Sequence, residues 1–271
     1  MTLSESLTYS TTKITAILED NTISTGTGFF MEFNRNNETK TCQPVIITNK
    51  HVVEGAKTLI YSECRGDDNN NPIDTKKFTI TLDAFKIVNH PDIDVDLCAI
   101  SISGAESIIH DSNVKLYKGK LTTDNLITDD EIKKCSAMEE IIMIGYPIGL
   151  EDTHNNKPII RRGITSTHIK NDYNGKKEFL IDMPCFPGSS GSPIFICNEY
   201  IYNSAGAVIM DSRIRLIGIL YGGPQYKNTG KIVFNNIPTM PKPIIDTFIN
   251  LGVAIKACRI KELEDLMKNL Q

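Results

Sequence analysis

Phe186-Pro187-Gly188-Ser189-Ser190-Gly191-Ser192-Pro193 is a turn punctuated by glycine and proline and carrying three serines. It follows the apolar run Phe179, Leu180, Ile181 and precedes Ile194, Phe195, Ile196. A turn clamped between two strands can hold one side chain out at a fixed angle, and its glycines let backbone N–H groups approach a ligand closely. A hydroxyl is a weak nucleophile unless a base takes its proton and donors stabilise the oxyanion that forms. The competing reading is a flexible Gly/Ser connection. The flanking strands, the two prolines and two stretches upstream weigh against it.

Working outward, residues 11–18, 24–33, 44–49, 57–62, 77–88 and 95–101 read as short strands rich in Ile, Val, Thr, Phe or Leu, separated by polar turns such as 65–72. Strands without an intervening helical period predict an antiparallel sandwich or closed barrel. The polar run 118–140 crosses from one half to the other. A second series follows at 141–146, 158–167, 178–183, 192–197, 206–210, 214–221 and 250–257. Asn174-Gly175 signals a two-residue hairpin. The stretch 225–248, with three prolines, reads as a surface excursion. In 259–271, Ile260, Leu263, Met267 and Leu270 recur at helical steps, predicting a terminal helix docked on its own domain. Gly26-Thr27-Gly28 lacks the third glycine of a dinucleotide fingerprint and reads as a bulge or barrel corner.

The chain has 271 residues, 40% hydrophobic, and a net charge of −4. That size suits one large domain or two small ones. No Lys/Arg block marks a nucleic-acid footprint, and no apolar run is long enough to span a membrane. Residues 1–6 show neither the basic start nor the apolar core of an export signal. Cys42, Cys64, Cys98, Cys135, Cys185, Cys197 and Cys258 include no Cys-x-x-Cys pair. They predict reduced thiols in a cytoplasmic protein, with no zinc site, metal or cofactor.

His51 stands in Ile46-Ile47-Thr48-Asn49-Lys50-His51-Val52-Val53, where a buried strand ends. An imidazole is the side chain best suited to accept a hydroxyl proton near neutral pH. His90, His110, His154 and His168 read as ordinary hydrogen-bonded histidines. In His90-Pro91-Asp92-Ile93-Asp94-Val95-Asp96-Leu97-Cys98-Ala99-Ile100, three carboxylates alternate with apolar residues, so a regular strand puts them on one face. Asp96 opens the most apolar run and suits a carboxylate that orients an imidazole; Asp94 is the second candidate.

Thr25-Gly26-Thr27-Gly28-Phe29-Phe30, the His51 stretch, Asp96-Leu97-Cys98-Ala99-Ile100 and Gly188-Ser189-Ser190-Gly191-Ser192-Pro193 together resemble the trypsin-like serine protease superfamily, most closely its bacterial HtrA-type branch and stand-alone relatives. The order His, Asp, Ser is that superfamily's. Leu216 to Gly222 resembles the strand lining the primary pocket, and Leu251 to Ile255 followed by a helix resembles the end of an HtrA protease domain. The resemblance implies an all-β fold of two antiparallel β-barrels with a C-terminal helix: a barrel of residues 1–112 carrying His51 and Asp96, and one of 113–271 carrying Ser190 and ending in helix 259–271.

It also implies a serine endopeptidase acting on a protein or peptide substrate, with His51 as general base, Asp96 as its orienter, Ser190 as nucleophile and the N–H groups of Gly188 and Ser190 as oxyanion hole. The substrate pocket falls to Pro184, Cys185, Leu220, Tyr221 and Gly222. Ser189 stands where trypsin-type enzymes have an aspartate, and Ile-Val-Gly-Gly is absent, so no activation cleavage of that kind is expected. Ser192 replaces a common glycine. Pro184 replaces trypsin's pocket acid, so a small or medium apolar residue is expected in the pocket. A catalytically silent scaffold and an ester hydrolase are the alternatives.

Overall fold

The computed structural model describes residues 1–36, 38–111, 114–117, 119–198, 201–202, 208–209, 213–229 and 244–269. After a short helix α1 (Leu3–Leu7) come β1 (Thr11–Leu18), β2 (Ile23–Asn36) and β3 (Thr41–Thr48), then helix α2 (Lys50–Val53). Strands β4 (Ala56–Gly66), β5 (Pro72–Leu82), β6 (Lys86–Asn89) and β7 (Cys98–Ser101) precede helix α3 (Ser103–Asp111). These strands form one sheet in the order β5-β4-β1-β2-β3-β7-β6, with β8 (Leu121–Thr122) parallel to β2. The sheet wraps a core of Ile14, Phe30, Ile46, Val52, Leu59, Tyr61 and Ile100. Its end strands β5 and β6 do not pair, so its ladder is not closed.

The second half begins with helix α4 (Asp129–Lys134), whose start is set by a capping box between Thr128 and Glu131. Strands β9 (Glu140–Gly145), β10 (Ile159–Thr165), β11 (Glu178–Asp182) and β12 (Pro193–Asn198) follow. After β13 (Ile201–Tyr202) and β14 (Val208–Ile209) come β15 (Arg213–Gly222), β16 (Gln225–Thr229), β17 (Ile244–Phe248) and β18 (Leu251–Lys256). Strands β10-β11-β18-β15-β12-β9 close into a barrel. It is filled by Ile141, Met143, Phe179, Ile181, Ile194, Ile217 and Leu220. Helix α5 (Cys258–Asn269) ends the described chain.

The all-β fold of two units with a terminal helix is the expected one. Several local expectations change. The single strand expected over 77–88 breaks into β5 and β6 at Asp83, whose carboxylate accepts a bond from Thr58 Oγ1 (2.8 Å). The strand expected from 95 starts at Cys98. Gly26 and Gly28 mark no bulge: β1 and β2 pair without interruption from Thr11–Phe29 to Ile17–Ile23. Instead each makes room for a neighbour. A Cβ at Gly26 would lie 2.5 Å from Val52 Cγ1, and one at Gly28 2.5 Å from Ile46 Cγ2. The excursion 225–248 opens and closes with the paired strands β16 and β17, and 230–243 lie outside the described residues. Only Val208–Ile209 of the strand expected over 206–210 is described. Asn174 and Gly175 both take positive φ (51° and 77°), the two-residue turn their sequence predicts.

One apolar cluster spans both halves. Phe29, Met31, Phe33, Ile47, Val95 and Leu97 from the first pack with Ile144, Phe195, Leu216, Ile219 and Ile255 from the second. Ile260, Leu263 and Met267 of α5 join it; Leu270 lies outside the described residues. The helix, expected to dock on its own half, therefore packs into the core the halves share and reaches the first half. Its Glu262 accepts from His90 Nε2 (3.1 Å), and its Glu264 accepts from the Asn34 N–H (2.7 Å). The run 118–140 makes the crossing: Leu121 and Leu126 enter the shared core, and the Ile127 N–H donates to the Leu216 carbonyl (3.0 Å).

Candidate active site

His51 is carried by α2 at the end of β3. Val52 and Val53 bury the inner side of this one-turn helix, and the His51 side chain keeps 47% exposure. Asn49, fully buried at the helix start, donates from Nδ2 to the Asp96 carbonyl (2.7 Å). The His51 N–H donates to Asp96 Oδ1 (3.1 Å), and His51 Nδ1 hydrogen-bonds Asp96 Oδ2. An ionised carboxylate only accepts, so this contact puts the proton on Nδ1 and leaves the lone pair on Nε2. Burial alone would raise the Asp96 pKa, but the hydrogen bonds and charge of His51 outweigh it and hold the group below its ordinary value.

The three aspartates do not share a strand face, because the chain turns through 92–97 before β7 begins. The Asp94 N–H bonds Asp92 Oδ1 (3.1 Å) and its side chain stays exposed. Asp92 instead faces Arg259 of α5 (3.4 Å). Asp96 meets His51; Asp94 does not.

The serine turn is held from both sides. Gly188 and Gly191 have φ of +85° and +87°, the left-handed region that glycine adopts without a Cβ penalty. The Thr27 N–H donates to the Ser190 carbonyl (2.8 Å) and Thr27 Oγ1 to the Gly188 carbonyl (2.9 Å). The same Thr27 hydroxyl accepts from the Tyr146 N–H (3.0 Å). Thr48, three residues before His51, donates from Oγ1 to the Thr27 carbonyl (2.8 Å). One buried threonine of β2 thus ties the serine turn, the root of α2 and the end of β9. Within the turn the N–H groups of Ser189, Gly191 and Ser192 donate to Phe186, Leu220 and Ser189 carbonyls. Among the described residues, the N–H groups of Gly188 and Ser190 donate to nothing. Two adjacent open donors are what a developing oxyanion needs.

Ser190 is partly exposed, and among the described residues its hydroxyl makes no hydrogen bond, to His51 or to any other group. Nucleophile–base bonds are often long before substrate arrives and tighten around it. The flanking Ser189 and Ser192 hydroxyls are buried without a partner.

Of the residues assigned to the pocket, Cys185 and Leu220 are buried, Tyr221 and Gly222 half-buried, and Pro184 exposed. Cys185 Sγ and Leu220 Cδ1 crowd Gly252, where a Cβ would lie 2.6 and 2.8 Å from them. Burial pushes the Cys185 thiol up to about 11, which makes it filler rather than a nucleophile. Sequence reasoning missed Arg161, which donates from Nη1 to the Pro184 carbonyl and lies 5.0 Å from the Phe186 ring centre. Two cavities, of about 400 and 210 Å³, are lined by none of His51, Asp96 and Ser190. Among the described residues no cluster of three or more His, Cys, Asp or Glu is placed to hold a metal, and no helix is long and apolar enough to cross a membrane.

The sequence model of the trypsin-like peptidase domain family matches residues 26–200. The structure is similar to an HtrA-type protease, AlgW with tripeptide (TM-score 0.54, 16% identity, 97% of this chain and 62% of that one). It is also similar to Deg5 (0.52, 17%, 95% and 88%) and to the serine endoprotease from Yersinia pestis (0.50, 15%, 100% and 68%). At these identities the likeness is one of fold. The chain spans less than two thirds of the AlgW chain. No curated protein sequence matches it.

Proposed function

Since the chain belongs to the trypsin-like peptidase family, a family of serine endopeptidases, we propose that it cleaves peptide bonds by acyl transfer through Ser190. His51 Nε2 takes the Ser190 proton as Oγ attacks the carbonyl carbon. Asp96 keeps the Nδ1–H tautomer and stabilises the imidazolium. The N–H groups of Gly188 and Ser190 bind the oxyanion. His51 then returns the proton to the leaving amine, and water repeats the sequence on the acyl-enzyme. The observation that carries this reading is the serine turn itself. It presents a partly exposed hydroxyl beside two open N–H groups, and it is tied through Thr27 and Thr48 to the short helix on which His51 meets Asp96.

Cys185 and Leu220, crowded against Gly252, favour a small or medium apolar residue on the acyl side of the cut bond. The seven free cysteines fit a reducing compartment such as the cytoplasm. The missing Ser190–His51 bond is the one observation on the side of a silent scaffold. Incubation of the protein and its Ser190→Ala variant with an unfolded protein substrate, read by mass spectrometry of new N-termini, separates the readings. New termini from wild type alone support the peptidase. None from either, or equal numbers from both, overturns it.

A further inference from the structure

Residues 146–158, between β9 and β10, lie directly under the serine turn. The Ile148 N–H donates to the Pro187 carbonyl (2.6 Å) and the Gly149 N–H to the Tyr146 carbonyl (2.9 Å). The fit against Gly188 is close: a Cβ there would lie 2.7 Å from the Tyr146 oxygen and 2.9 Å from the Ile148 nitrogen. Ile148 itself has φ of +47°, which a β-branched residue adopts only under constraint. Residues held in such conformations persist when their surroundings over-determine them.

The same loop also makes contacts with the other half of the molecule. Glu151, its side chain only 12% exposed, accepts from Lys13 of β1 (2.7 Å) and faces Lys77 of β5 (3.5 Å). Farther along, Lys157 pairs with Asp74 (3.0 Å) and sits 3.3 Å from the Tyr9 ring centre. Asn156 Nδ2 donates to the Asp74 carbonyl (2.7 Å), and Tyr9 donates to the Asp74 carboxylate (2.5 Å). Burial alone would raise the Glu151 carboxyl, but the hydrogen bond and charge of Lys13, with those of Lys77, outweigh it and hold the group below its ordinary value. The loop is therefore tied at two points to the sheet that carries His51, and it touches the turn that carries Ser190.

We propose that Glu151 is a positioning residue. Its ion pairs with Lys13 and Lys77 hold the strained turn 146–149 in the one shape that supports the Pro187–Gly188 peptide with the Gly188 N–H open to substrate. Beside the nucleophile the Ser189 hydroxyl is buried without a partner and so anchors nothing, which leaves the tether from β1 and β5 to supply the constraint. Glu151 touches no reacting atom, so its effect belongs to turnover and not to substrate binding. The inference rests on the peptidase reading above.

The test is Glu151→Gln in the full chain, with kcat, KM, fluorophosphonate-titrated active sites and thermal midpoint measured together. Losing one oxyanion donor lowers kcat on the order of 10²- to 10³-fold, and a turn that spends part of its time misplaced loses activity in proportion to that time. The expected result is a fall in kcat per titrated site of about tenfold or more, with KM within about twofold. The conservative Glu151→Asp, which keeps the charge facing both lysines, retains more of kcat than Glu151→Gln, while Asp68→Asn, which breaks the exposed Lys115–Asp68 pair, changes nothing. If Glu151→Gln does not fold, Lys13→Met with Lys77→Met carries the same test. Unchanged kcat per titrated site, or a change confined to KM or to the thermal midpoint, overturns the proposal. Ser190→Ala with full activity would instead overturn the peptidase reading beneath it.

Discussion

Replacing Gly191 with alanine puts a methyl group where there is no room for one. The added Cβ would lie 2.0 Å from the Thr27 carbonyl oxygen and 2.6 Å from Thr48 Oγ1. Real Cβ contacts essentially never fall below 3.0 Å, so the turn must retreat by about 1 Å from Thr27. The φ of +87° adds strain that glycine avoids. Left-handed strain costs about 1–2 kcal/mol and overpacking about 1–3 kcal/mol. The retreat also weakens the Thr27-to-Ser190 and Gly191-to-Leu220 backbone bonds, both 2.8 Å, each contributing about 1 kcal/mol. We expect a loss of about 4 kcal/mol in urea unfolding. The folded fraction should lose on the order of 10²-fold in kcat, because the same retreat displaces Ser190 by about 1 Å. The control is Gly104→Ala in α3, where nothing lies within 4 Å of the added atom; it should be neutral or stabilising by up to about 1 kcal/mol. Gly191→Ala with stability within about 1 kcal/mol of wild type and undiminished turnover would refute the claim that this turn is wedged against β2.

Asp96→Asn should lower kcat by about 10⁴-fold while leaving substrate binding nearly intact, by removing the acceptor that fixes the His51 tautomer. Because the folded-state pKa of Asp96 is depressed, its contribution to stability is present above the unfolded value and lost as pH falls through the folded one. The stability gap between wild type and Asp96→Asn should therefore close in acid unfolding curves below about pH 4. Glu63 is the opposite case. It is 4% exposed, one carboxylate oxygen has no partner, and burial raises its pKa although Lys120 opposes the shift. Its favourable state is the protonated one, complete below the unfolded value and lost as pH rises through the folded value. Glu63→Gln should therefore raise the thermal midpoint at pH 8 and leave it unchanged near pH 4; a lower midpoint at both would contradict this. Thr27→Val keeps the shape but leaves the Gly188 carbonyl and Tyr146 N–H unmatched. It should cost about 1–3 kcal/mol in urea unfolding and lower kcat more than it raises KM.

Much of the fold is legible in local pattern. Strands β9, β12 and β15 each bury most of their own apolar run, and α5 buries Ile260, Leu263 and Met267 as its periodicity predicts. The alternation of Asp92, Asp94 and Asp96 misled, because side-chain and backbone bonds fold 92–97 into turns before the ladder begins. Three contacts at or near the site cannot be read from local pattern. Thr27 reaches Gly188 across 161 positions, Lys13 reaches Glu151 across 138, and Arg161 meets Pro184 across 23. A threonine between two glycines and a glutamate in a polar loop acquire meaning only when the halves meet, and periodicity within a strand says nothing about that meeting. The glycines were readable as special but not for the right reason: Gly26 and Gly28 are small to admit Val52, Ile14 and Ile46.

If the Ser190 hydroxyl becomes a nucleophile through His51, it reacts with an electrophile made for such serines. The most direct test is reaction with a fluorophosphonate, followed by peptide mapping of the adduct. The expected result is a single adduct, on Ser190, absent from Ser190→Ala and formed far more slowly in His51→Ala. A folded protein that takes no adduct on Ser190, or takes it equally fast without His51, would contradict it.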